Sequence, residues 1–130
     1  MLETGIKGRC SRRVEQAITA QAMGSGSLEV LATPALAAMI EQAAWESVAP
    51  YLEPGQTTVG ALLELHHDSP TPLGVEVWAE SELVEAAGRR LVFTAVAYDQ
   101  TGPIGSARHE RVIVDGARFM GKCQAKATGL

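Results

Sequence analysis

Two hydrophobic rhythms divide the chain. Between Thr33 and Pro50, the apolar residues Leu36, Met39, Ile40, Ala43 and Ala44 recur at helical spacing, and the intervening alanines widen the apolar surface. Thr33 fits an N-cap, Pro34 fits the first helical position and Pro50 ends the pattern, so "LATPALAAMIEQAAWESVAPYL" is read as one helix. Its only charges are Glu41 and Glu46. A helix so apolar is expected to be covered on most sides.

Beyond "EPGQ" the period shortens to two. Residues 57–67, 75–85, 90–99 and 104–114 are rich in Val, Leu and Thr, and turn signals separate them at Pro72 to Gly74, Ala87-Gly88 and Thr101-Gly102-Pro103. Short connections of this kind predict an antiparallel meander. A weaker strand is read over residues 12–21, which carry Val14 and Ile18, and "MGSGS" after it is read as a loop. The expected fold class is α+β, a two-layer domain in which an antiparallel sheet wraps one helix. Such a sheet has edges to hide, and pairing with a second copy is expected.

Composition narrows the function more by exclusion than by signal. At 130 residues, 46% hydrophobic and 20% charged, the chain is read as one globular domain, residues 1–130. A net charge of -4 argues against a nucleic-acid partner. Cys10 and Cys123 lack the spacing of a disulfide framework or a zinc site. No apolar run has the length of a membrane span, and "MLETGIKGRCSRR" lacks the apolar middle of a signal peptide, so no membrane partner and a cytoplasmic location are expected.

Candidate chemistry is sparse. The start of the helix, at "ATPALA", leaves backbone N–H groups able to hold an anion or a developing oxyanion, although Thr33 can equally be a plain cap. Glu41, eight residues on among apolar neighbours, is a candidate base or nucleophile or simply a surface carboxylate. Eight helical residues span about 12 Å, so Thr33 and Glu41 of one chain are too far apart to hold one reacting atom. In "LELHHDSPTPLG" strand alternation turns His66 and His67 to opposite faces, so only one of them can face a site. Each histidine, His109 included, has a structural reading as well. No metal-ligand spacing, nucleophile elbow, phosphate loop or dinucleotide fingerprint is present, and no metal or cofactor is expected.

The joint spacing of these residues carries a resemblance. "ATPALAAMIEQAAWESVAPYLEPGQTTVGALLELHHDSPTPLG", followed by "GRRLVFTAVAYDQTGPIGSARHERVIVDGARF", resembles the fluoroacetyl-CoA thioesterase family of hotdog-fold proteins over roughly residues 31–120. The resemblance implies a long central helix wrapped by a five- or six-stranded antiparallel sheet, and homodimers with two sites at the interface, with further association left open. It implies hydrolysis of a short or medium acyl-CoA thioester. It puts the catalytic threonine, glutamate and histidine on Thr33, Glu41 and His67, and substrate-binding positions on Gly60 and Arg111. Arg111, with Arg89 and Arg90, is then expected to meet the phosphates of coenzyme A, although Arg89 and Arg90 read equally as a solvated hairpin end. The family's phenylalanine-bearing lid before the helix has no aromatic counterpart in "AMGSGSLEVL", so fluoroacetyl selectivity is not expected to carry over. The alternatives are a non-catalytic hotdog acyl-CoA-binding protein and an acyl-CoA hydratase or dehydratase.

Overall fold

Helix α2 (Thr33–Val48) lies against one face of a five-stranded antiparallel sheet and supplies most of its cover. The computed structural model describes residues 2–129. Strand β1 (Lys7–Arg13) leads through a 3-10 turn (Gln16–Ile18) and the short helix α1 (Ala20–Met23) to α2. A second 3-10 turn (Ala49–Tyr51) follows, then β2 (Gln56–His67), β3 (Glu76–Ala87), β4 (Arg90–Asp99), β5 (Gly102–Asp115) and helix α3 (Gly116–Thr128).

The apolar rhythm of α2 is matched by burial. Ala35, Leu36, Met39, Ile40, Ala43, Ala44 and Val48 are all buried, and the sheet answers with Val77, Ala79, Leu83, Leu91, Phe93, Ala95, Ala97 and Ile104. Small residues on both sides let backbone approach backbone. At Gly8 on β1, an added Cβ would collide with the Ala43 carbonyl and lie 2.8 Å from Ser47 Cβ. Only hydrogen fits there.

Two sequence expectations are corrected. The strand expected over 12–21 lies earlier, at Lys7–Arg13, because β1 pairs with β3 from Lys7↔Glu82 to Arg13↔Glu76. Val14 and Ile18 are core anchors of the turn and short helix that follow. The meander holds for β3, β4 and β5, but β2 is not next to β3: the order is β1-β3-β4-β5-β2, and β2 pairs with β5 at the sheet's edge. Helix α3 lies beyond the strands read from the sequence.

The segment after His67 therefore crosses the end of the sheet, and a buried carboxylate holds it there. Thr71 donates to Asp99 Oδ2 at 2.8 Å, while the Thr101 hydroxyl and amide donate to Asp99 Oδ1 at 2.6 and 2.8 Å. Burial pushes the Asp99 carboxyl up, but the hydrogen bonds from Thr101 and Thr71 outweigh it and hold its pKa below the ordinary carboxylate value. The Thr71 carbonyl in turn accepts from Leu31 N at 2.9 Å, and so ties the crossing to the approach of α2.

The close approach at Gly8 makes a direct prediction. Gly8→Ala is expected to destabilise the fold by about 2–3 kcal/mol, because overpacking forces β1 off α2. Chemical denaturation of the two proteins measures the difference, and equal midpoints would contradict the packing described.

Candidate active site

The start of α2 does not behave as a capped helix end. Thr33 is the first helical residue, Ala32 occupies the N-cap position, and no side chain caps the helix. The Thr33 hydroxyl instead lies 2.8 Å from His67 Nδ1, across from the last residue of β2. Pro34 has no N–H, and the Ala35 and Leu36 amides both bond to the Ala32 carbonyl. The oxyanion donors available here are thus fewer than a helix start normally provides: the Thr33 amide, which has no partner among the described residues, and the Thr33 hydroxyl.

Alternation along β2 decides between the paired histidines. His67 turns toward the helix, like Leu65 and Leu63 before it, whereas His66 is exposed on the opposite face. Across the strand pair, His67 meets Gly105 of β5, where a Cβ would lie 2.6 Å from the His66 carbonyl. Burial pushes the His67 pKa below its ordinary value, partly offset by the Ser69 backbone and the Asp68 carboxylate. The Ser69 backbone acts here as a favourable dipole only, since His67 Nε2 is buried without a well-formed hydrogen bond among the described residues. A neutral imidazole therefore faces the Thr33 hydroxyl near pH 7.

Glu41 belongs to a second cluster farther along the helix. Its Oε2 lies 3.5 Å from Arg111 Nη1 and 4.0 Å from His109 Nε2. His109 Nδ1 lies 2.7 Å from the Leu62 carbonyl, which can only accept, so Nδ1 carries the proton and Nε2 accepts from Arg111 Nη1 at 3.1 Å. Burial pushes the His109 pKa down, and the Arg111 guanidinium adds to that against the Leu62 backbone and Glu41. His109 is hence a neutral prop for the guanidinium rather than an ion partner of Glu41.

Arg111 is the centre of this cluster. It is buried, and its Nε and Nη2 donate to the Thr58 hydroxyl and carbonyl at 2.8 and 3.0 Å. With Nη1 shared between His109 and Glu41, the guanidinium is turned inward to the carboxylate. Arg90 is also occupied, by Glu85 and Glu110 on the outer face of the sheet. Gly60 pairs with Arg111 across β2 and β5, and a Cβ there would lie 2.7 Å from Glu41 Oε2. The glycine leaves the space that the carboxylate fills.

The chain thus brings Thr33 to His67, and Glu41 to Gly60 and Arg111, as two clusters. Beside the first, a groove of about 260 Å³ is lined by Ala20, Ser25, Val30, Leu31 and Ser69. No side chain from Met23 to Val30 is aromatic, and Leu28 and Met23 are exposed. Thr58, Asp99 and Gly105 were not singled out from the sequence. Thr58 is one of many strand threonines, and nothing local marks it as the partner of Arg111.

Residues 14–117 match the family described as fluoroacetyl-CoA-specific thioesterase. The chain belongs to that family. It is 37% identical over 98 residues to the fluoroacetyl-CoA thioesterase of Streptantibioticus cattleyicolor, covering 75% of this chain and 70% of that one. A crystal structure of the fluoroacetyl-CoA thioesterase FlK superposes with a TM-score of 0.90 at 30% identity, covering 97% of this chain and 98% of the other. A hot-dog-like protein from Thermanaerovibrio acidaminovorans superposes with a TM-score of 0.87 at 25% identity, over 96% and 93% of the two chains. The curled five-stranded sheet around α2 is the hotdog fold of these relatives. Among the described residues no helix is long and apolar enough to cross a membrane.

The contact at Gly60 is testable. Gly60→Ala is expected to displace the Glu41 carboxylate, a flexible side chain, and so to change stability by less than about 1 kcal/mol while lowering kcat at least about tenfold. Unchanged kcat in a folded variant would remove Glu41 from the site.

Proposed function

We propose that the chain hydrolyses a short or medium acyl-CoA thioester. The observation that carries this reading is the 2.8 Å contact between Thr33 Oγ1 and His67 Nδ1 at the start of a buried helix, in a member of a thioesterase family. The thioester carbonyl oxygen lies at the Thr33 amide and hydroxyl, which stabilise the charge that develops in the tetrahedral intermediate. Glu41, held by Arg111, acts as base toward water or as nucleophile toward the carbonyl carbon. As the C–S bond breaks, the proton that Glu41 took from water passes to the leaving thiolate, with neutral His67 orienting the reacting groups through Thr33; in the nucleophilic route the thiolate takes its proton from solvent and water then hydrolyses the acyl–Glu41 anhydride.

A homodimer resolves the separation between the two clusters. Strand β2 is a sheet edge with only β5 as partner among the described residues, and Leu62 on β2 and Trp45 on α2 are exposed large apolar side chains. A second copy laid along this edge brings Glu41 of the partner subunit to the Thr33–His67 pair, so that two sites form across the interface. The segment before α2 carries no aromatic side chain to close on a small fluorinated acyl group. Wider acyl selectivity follows.

Thiol release from a panel of acyl-CoAs tests the activity. Glu41→Gln is expected to lower kcat at least about 100-fold, the usual scale for a lost general base or nucleophile; full activity in that variant sinks the proposed chemistry. Because burial lowers the His67 pKa, the ring is neutral and competent at pH 7, and kcat is expected to fall as pH drops through that value, below about 6.5. The same acid limb persisting in His67→Gln would assign it to another group.

A further inference from the structure

Four cations gather at the far end of the sheet, away from the acidic majority of a chain whose net charge is -4. Arg118, Lys122 and Lys126 stand at four-residue intervals on α3, and Arg89 lies at the β3–β4 turn beside them. Arg89, Arg118 and Lys122 line one groove of about 260 Å³ together with Phe119, Asp115 and the end of β5. None of the three forms an ion pair among the described residues, whereas Arg90, Arg108 and Arg111 all do. The Arg89 guanidinium is fixed by donating from Nη1 to the Ile113 carbonyl at 3.2 Å. Asp115 is the one acid in the lining, and its Oδ1 is engaged by the Arg118 amide at 3.0 Å as the cap of α3.

We propose that this groove binds the phosphates of the nucleotide end of the acyl-CoA substrate, a role that rests on the thioesterase reading. Three unpaired cations suit a multiply charged phosphate ester, and the exposed Phe119 ring beside them offers a face for a purine. The volume is below that of a typical small-molecule pocket, and so suits phosphoryl groups and part of a base rather than an acyl chain. Position agrees. Asp115 follows Arg111 by four residues on β5, about 13 Å at strand rise, a stretch for the pantetheine arm to bridge between the Glu41 cluster and the groove. The Arg111 and Arg90 expected from sequence to meet phosphate are replaced by Arg118 and Lys122.

The test compares an acyl-CoA with the matching acyl-pantetheine, which has the same thioester but lacks the nucleotide. In the Arg89→Ala/Arg118→Ala/Lys122→Ala variant, the preference in kcat/KM for acyl-CoA over acyl-pantetheine is expected to fall about tenfold or more. In the wild type the same preference should shrink as ionic strength rises, since the groove is open to screening. Lys126→Ala, outside the groove lining, should leave it within about twofold. An unchanged preference in the triple variant overturns the proposal. Calorimetric titration with adenosine 3′,5′-bisphosphate reads the groove without catalysis: binding by the wild type and loss in the triple variant supports it, and no binding by the wild type overturns it. A protein that binds this nucleotide but releases no thiol keeps the groove and refutes the thioesterase reading alone.

Discussion

Everything in this chain is arranged around the burial of one alanine-rich helix against a curved sheet. Because α2 presents Ala35, Ala43 and Ala44 along with its larger residues, the sheet has to come unusually close, and Gly8 marks where it does. That closeness brings the last residue of β2 against the first residue of α2. It also leaves Glu41 half-exposed at the margin of the packed face, so that its carboxylate remains reachable.

A buried guanidinium is the second constraint. Arg111 is costly to desolvate, and burial alone pushes its pKa down, against the pull of Glu41. Thr58 takes two of its N–H groups, while neutral His109 and Glu41 share a third nitrogen. Satisfying the cation therefore dictates the tautomer of His109, the place of Glu41 and the absence of a side chain at Gly60. The "HER" triplet of the last strand is best understood as this support, with Glu110 facing the opposite way toward Arg90 and Arg108.

Much of the fold was legible because its signals are local. Four strand positions were read close to their observed bounds, since Val and Leu at alternate positions between Gly and Pro leave few other choices. The first strand carries a weak signal because Lys7–Arg13 is polar on its solvent face and buries only Cys10, while the apolar Val14 and Ile18 lie beyond its end. Helix α3 has no buried residue, so no core-facing stripe announced it.

The sequence by itself determined that α2 would be a helix with a buried apolar face, that the strands would alternate, and that His66 and His67 would look in opposite directions. These follow from periodicities that each segment carries within itself. Tertiary structure alone decided that β2 lies beyond β5, that the Thr33 hydroxyl turns to His67 instead of capping its helix, and that Arg111 points inward while Arg89 joins the cations of α3. Each of those outcomes depends on which segment comes to lie beside another, and a side chain takes the partner that burial brings to it rather than the one its sequence neighbours suggest.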